Sequence, residues 1–230
     1  MIANSEHERQ MAYIDFLSVI HKSTKRDYVA RVVEFPKAEA ATLAKQWGVD
    51  YWDGDRKTGY GGYAYDGRWR KVADAMIEHY GIKPGDRILD VGCGKGFLLY
   101  DLMQSCPGIE IVGIDVSRYA IEHSKEETRP FLRECSAVSL PFEDGSFDLV
   151  ISLNTLHNLY CYDLYSALQE IERVGRKHKY ICVESWRTEE EKVNLLYWQF
   201  TCEMFCTPRE WEWWFEHAGY TGDHSFIYFE

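Results

Sequence analysis

Nowhere does the 230-residue chain hold an apolar run approaching the about 18 positions that would suggest a membrane span. The opening stretch MIANSEHERQMAYIDF lacks a basic region leading into an apolar core, so no secretory leader is read there. No CxxC pair occurs among the seven cysteines, which stand scattered at 93, 106, 135, 161, 182, 202 and 206. Reduced thiols and a cytoplasmic location are the expectation. HExxH is missing, as is any cysteine cluster, and no metal is expected. Basic residues are in deficit, 26 against 37 acidic, for a formal charge of −11. That balance repels phosphate backbones and anionic bilayers, which argues against a nucleic-acid or membrane partner.

What is present suits one sizeable α/β unit: 46% of the residues are hydrophobic and 15% aromatic, enough for a large core. There is no internal repeat and no low-complexity segment. Apolar spacing near 11–20 and 37–47 predicts two helices, the second following Pro36 and ended by Trp47-Gly48. Asp66 is expected to N-cap a helix running to about Tyr80, closed by Gly81 and Pro84. From residue 87 short apolar runs alternate with helical segments: RILDV, IEIVGID, FLRECSA, FDLVISL, KYICVES and HSFIYFE read as strands. Such alternation predicts a parallel sheet with helices on both faces and a ligand beyond the carboxyl ends of its strands.

Those strand ends carry the chemistry. ILDVGCGKGF sets Gly92, Gly94 and Gly96 in a turn between strand and helix, after Asp90. Two readings stand: a turn without a ligand, or backbone that approaches one closely. Asp90 would repel a dinucleotide's phosphates and suits a ligand with an ammonium group. Asp115 ends the second strand, 19 residues after Gly96, where an acid accepts the hydroxyls of a ribose; alternatively it N-caps the next helix beside Ser117. The third element continues through CSAVSLPFEDGSFDLVISLNTLHNL.

With these three motifs in order, residues 87–160 resemble a class I S-adenosylmethionine-dependent methyltransferase of the small-molecule (type 11) kind. The resemblance implies a Rossmann-like, doubly wound, mostly parallel sheet of six or seven strands. A helical N-terminal extension and lid (1–66) would precede the cofactor-binding domain (67–230). It implies S-adenosylmethionine as cofactor. Asp90, Gly92, Cys93, Gly94 and Gly96 would lie against its methionine portion, Asp115 on the ribose and Val116 beside the adenine. Ser136 and Ala137 stand where family members often carry Asp-Ala, so the adenine amine would meet a serine. Asn154 would meet the cofactor's amino-acid end and the acceptor. The family usually ends in an antiparallel strand pair, whereas one strand follows the last helix here. The sheet would then have six strands, borrow an edge, or cover it in a homodimer.

The stretch GYGGYAYDGRW at 59–69 is expected to hang over the cofactor, with Tyr60, Tyr63 and Tyr65 facing the ligands; packing on the helix start is the alternative. Its four glycines favour a lid. VESWRTEEEKVNLLYWQFTCEMFC is expected to form a helix across the mouth, with Glu184 and Trp186 at the acceptor. Trp198, Phe200, Trp211, Trp213 and Trp214 read as core or wall. Candidate bases are His157, Glu184 and Tyr65, with His157 equally readable as packing or capping. The expected acceptor is a small polar metabolite in a biosynthetic pathway: a hydroxy or keto acid, an amine or a sugar. Asn154-Thr155-Leu156-His157 lacks the Asn-Pro-Pro-aromatic run of enzymes that methylate bases. Two further readings stand: a non-methyl reaction releasing methylthioadenosine, and a non-catalytic S-adenosylmethionine-binding protein.

Overall fold

The structure, a computed structural model, describes residues 11–21 and 26–230. Expectations that fall on residues 1–10 and 22–25 lie outside the described residues.

Six strands form one sheet: β1 (Arg87–Val91), β2 (Glu110–Asp115), β3 (Leu132–Glu134), β4 (Phe147–Leu153), β5 (Gly175–Glu184) and β6 (Asp223–Ile227). Their order is β3-β2-β1-β4-β5-β6 and every pairing is parallel. The switch in direction falls between β1 and β4, both of which are buried along nearly their whole length, as strands covered on both faces must be.

Two short 3-10 turns and ten α-helices accompany the sheet among the described residues. Four short ones come first: α1 (Ser18–His21), α2 (Tyr28–Val33), α3 (Lys37–Ala44) and α4 (Val49–Trp52). Then come α5 (Arg70–Tyr80), α6 (Phe97–Ser105), α7 (Arg118–Glu122), α8 (Cys161–Val174), α9 (Glu189–Trp198) and α10 (Pro208–Ala218). Alternation along the strands sends side chains to two cores. Ile88, Leu149 and Ile151 pack with Val72 and Met76 of α5 and Leu98 and Leu102 of α6. Leu89, Val91 and Val150 pack with Leu168 and Ile171 of α8 and Trp211 and Phe215 of α10. A capping box between Thr207 and Glu210, with Pro208 in the first turn, fixes where α10 begins.

Two expectations are corrected. Residues 11–17 are not helical: Tyr13 bridges in parallel to His224, with Ile14 N donating to His224 O and His224 N to Ala12 O, both at 2.9 Å. The outer edge of β6 takes up this segment because its backbone groups there need partners. Helix begins only at α1, after Asp15 Oδ1 accepts from the amides of Leu17 and Ser18. The sheet edge is therefore partly covered from within the chain, which weakens the argument for a homodimer. Asp66 does not cap α5, which begins at Arg70; its carboxylate holds Arg68 instead.

Candidate functional site

Three structural levels meet at the carboxyl end of the sheet: the β1–α6 turn, the end of β2, and an aromatic roof from the N-terminal extension. The turn passes through Gly92, Gly94 and Gly96, all with positive φ, a region that side chains other than glycine rarely enter. At Gly94 a Cβ would also stand 2.8 Å from the Trp52 ring, and at Gly96 2.7 Å from Thr128 Oγ1. Asp115 holds the turn in place, its Oδ2 accepting from Gly94 N at 2.8 Å and its Oδ1 from Ser117 N at 2.7 Å. Ser117, not Asp115, caps α7, its Oγ accepting from Ala120 N at 3.0 Å. Asp115 is thereby left facing the cavity.

That cavity measures about 360 Å³. Asp90, Gly92, Cys93, Gly94, Asp115, Val116, Ser136, Ala137, Asn154, Tyr60 and Tyr63 all line it. Gly96 does not: it lets the chain enter α6 beneath Thr128 and Leu132. Burial, with Asp115 nearby, pushes the Asp90 carboxyl up to about 7. A buried carboxyl of this kind welcomes a cation. Asn154 adopts φ 55 at the end of β4, and its Oδ1 is buried without a hydrogen-bond partner. An orphaned acceptor beside a carboxyl that favours cations fits an ammonium-bearing ligand.

The roof comes largely from residues that the sequence motifs passed over. Trp47, Tyr51, Trp52 and Trp69 line the same cavity. Trp52 donates from Nε1 to Ser117 Oγ at 2.8 Å and stacks on Tyr60, the ring centroids 5.5 Å apart. Tyr63 stacks on Phe97 at 5.0 Å. The tryptophans crowded into 47–52 were the available signal, but nothing local says that a helix of four residues will lie across a turn more than forty residues away.

A second cavity of about 280 Å³ adjoins the first, and Tyr51, Tyr60, Tyr63, Trp69, Phe97 and Asn154 line both. His157, Glu184, Trp198 and Phe200 lie on its wall. Of α9, expected across this mouth, only its last residue, Trp198, lines the cavity. Trp186 does not line it; its indole donates to Phe205 O at 3.2 Å. Trp211 is core, whereas Trp213 is exposed.

The three candidate bases separate. Tyr65 lines neither cavity: its hydroxyl donates to Asp101 Oδ1 at 2.6 Å, and that bond, with burial, pushes the phenol up to about 12. His157 is buried, its Nδ1 accepts from Glu184 N at 3.4 Å, and burial lowers its pKa to about 3. It therefore stays neutral and holds a proton poorly. Glu184 is pushed up to about 8 by burial, with Gln199 donating to its Oε1 and His157 Nε2 lying 3.5 Å from Oε2. Of the three, Glu184 matches a proton acceptor working near neutrality.

All seven cysteines are free. Among the described residues, no group of three or more His, Cys, Asp or Glu is arranged to hold a metal ion, and no helix is long and apolar enough to cross a membrane.

Residues 82–219 match the family described as "Methyltransferase domain". The demethylmenaquinone methyltransferase of Symbiobacterium thermophilum is 30% identical over 145 residues, covering 58% of this chain and 57% of the relative. The tRNA (carboxymethyluridine(34)-5-O)-methyltransferase alkbh8 of Xenopus tropicalis is 31% identical over 125 residues, covering 54% of this chain and 18% of the relative. The chain thus spans well under two thirds of the length of these relatives. Among solved structures, geranyl diphosphate methyltransferase in complex with GPP and sinefungin superposes with a TM-score of 0.53. It shares 21% identity, over 64% of this chain and 58% of that one, which is a likeness of fold.

Proposed function

The chain belongs to the methyltransferase-domain family, matched over more than half its length, and on that premise we propose that it is an S-adenosylmethionine-dependent methyltransferase acting on a small polar metabolite. The observation that carries this reading is the wall shared by the two cavities. Asn154, Tyr60 and Tyr63 belong to both, so a donor in the first and an acceptor in the second would meet at these residues.

S-adenosylmethionine, when bound, supplies a methyl group activated by a sulfonium centre. The chain's own residues bind, orient and exclude water. Asp115, which keeps the Gly94 amide in place, would accept the ribose hydroxyls. Val116, Ser136 and Ala137 would line the adenine end, and Asp90 with Asn154 Oδ1 would receive the ammonium. The Trp52–Tyr60 and Tyr63–Phe97 stacks close the joint between the cavities, which strengthens the electrostatic interactions inside. Glu184, in its ionised form, takes a proton from the acceptor. His157, neutral and bonded to the Glu184 amide, positions it.

The test is product identity. The protein is incubated with S-adenosylmethionine and a panel of hydroxy acids, keto acids, amines and sugars, and the nucleoside product is separated by chromatography. S-adenosylhomocysteine formed with one acceptor, and lost in Asp115→Ala together with cofactor affinity, supports the proposal. Methylthioadenosine as product, or cofactor binding without turnover on any acceptor, overturns it.

A further inference from the structure

The chain carries a formal charge of −11, yet arginines gather on the second cavity. Arg26, Arg31, Arg56 and Arg68 line it, against the acids Asp66 and Glu184. Asp66 is taken by Arg68, with Oδ2 2.7 Å from Nε. Glu184 is turned to Gln199 and His157. Arg26, Arg31 and Arg56 form no ion pair among the described residues. Asp27, Glu34 and Asp55 border the outer side of Arg31 and Arg56 without reaching either.

These three guanidinium groups are arranged around one ring. The carbon atoms of Arg26, Arg31 and Arg56 lie 5.4, 4.7 and 5.7 Å from the centroid of Trp198. Arg31 also lies 4.1 Å from Phe200, and Arg26 4.9 Å from Phe229. Stacking and backbone contacts fix the planes: Arg31 Nε donates to Trp198 O at 3.3 Å, and its Nη1 donates to Arg56 O. Arg26 Nη2 lies 3.3 Å from His21 Nδ1, and its Nε is buried without any partner. Burial, then Arg26, pushes His21 down to about 4, so this histidine adds no charge near neutrality. Three like charges held together with donors unspent, on a wall of aromatic rings, are costly without a counter-ion and suited to receiving one.

We propose that Arg26, Arg31 and Arg56 form an anion subsite that holds a carboxylate or phosphate of the acceptor, whose apolar body lies against Trp198 and Phe200. This inference rests on the reading of the second cavity as the acceptor site, and it narrows the acceptor from any small polar metabolite to an anionic one. Arg26 and Glu184 line the same cavity, and the Arg26 charge favours the ionised Glu184 carboxyl. The anion would therefore be anchored in the cavity that also holds the group that receives the acceptor's proton.

The test is calorimetry on the full chain. S-adenosylhomocysteine and methylthioadenosine are titrated first, then benzoate, phenyl phosphate and neutral benzamide with S-adenosylhomocysteine at saturation. Expected is saturable binding of benzoate or phenyl phosphate, whichever the natural anion resembles, with none for benzamide. Arg56→Gln and Arg26→Gln each weaken that binding about tenfold or more. Arg31→Lys, which keeps the charge and loses the planar fork, weakens it while thermal unfolding shows the fold intact. Equal binding of benzamide, no anion binding, or indifference to the arginine variants overturns the subsite. Arginine variants that weaken S-adenosylhomocysteine but not methylthioadenosine also overturn it, because the cluster would then hold the cofactor's own carboxylate. If S-adenosylhomocysteine fails to bind while the anions still bind through the arginines, the cofactor reading falls and the anion subsite stands.

Discussion

Lys95 places its ammonium 2.6 Å from both carboxylate oxygens of Asp53, and this pair joins the glycine turn to the aromatic roof. The ammonium also donates to Tyr63 O at 2.9 Å, and Tyr119 adds a hydroxyl to Asp53 Oδ2 at 3.0 Å. The Lys95 side chain is 6% exposed and that of Asp53 30%. Removing the acid alone strands a buried cation. Asp53→Ala should therefore cost roughly 2–3 kcal/mol in urea denaturation, less than a fully buried pair because Asp53 is partly screened. Lys95→Met should cost less than Asp53→Ala, since it leaves the exposed partner to water. The reverse order would show that the pair does not hold the roof.

The stretch at 59–69 is docked at Tyr60 and Tyr63, whose amides donate to Tyr51 O at 2.8 Å and Trp52 O at 2.9 Å. Three of its four glycines have positive φ, and a Cβ on Gly59 would meet Tyr51 O at 2.0 Å, so the glycines answer to backbone geometry as well as to freedom of motion. Whether the segment also opens is read by hydrogen exchange. As a lid, it should exchange at residues 59–66 in the free protein and slow when S-adenosylhomocysteine is added. Tyr60→Phe or Tyr63→Phe should lower turnover, whereas Tyr65→Phe, outside both cavities, should not. Slow exchange before any ligand is added, with all three variants fully active, would leave the segment as packing.

Gly94→Val should abolish cofactor binding, by displacing the roof rather than by filling ligand space. Its Cβ would enter the Trp52 ring, and φ 53 is strained for a branched side chain. A Trp52→Ala change in the same chain should recover part of the lost affinity by calorimetry, while the strain at residue 94 remains. A double variant no better than Gly94→Val would place the cause in the backbone alone.

Glu184 makes stability depend on pH. Burial raises its pKa from the ordinary 4.5 to about 8, so between these values the folded carboxyl keeps a proton that the unfolded chain has released. Stability is then lost as pH rises through this window, and Asp90, raised to about 7, acts in the same direction. His157, lowered from 6.5 to about 3, acts oppositely but only below about 6.5. Over pH 6.5–8 the ligand-free protein should therefore weaken. Glu184→Gln should flatten the slope and stabilise the protein at pH 8 by roughly 1–3 kcal/mol in denaturant titrations. A slope unchanged by the substitution would mean that Glu184 is ionised when folded.

Much of the first cavity was legible in the chain. Strand periodicity, a glycine turn after β1 and an acid at the end of β2 are local patterns, and local patterns survive without tertiary knowledge. The parallel sense of the strands followed from the same regularity, since parallel strands need crossovers between them, whereas their order was decided only by the fold. Tertiary structure alone decided the rest, because it depends on which distant segments meet. Residues 11–14 look helical by spacing and become extended because β6 offers an open edge. Tyr65 shares a motif with Tyr60 and Tyr63 but turns its hydroxyl to Asp101, a partner 36 residues away. His157 and Glu184 were equal candidates until burial separated their proton affinities in opposite directions. Arg26 and Arg31 stand five residues apart and Arg56 lies in a separate loop, and none is remarkable in the sequence. Only the packing of the N-terminal extension against α9 gathers them around Trp198.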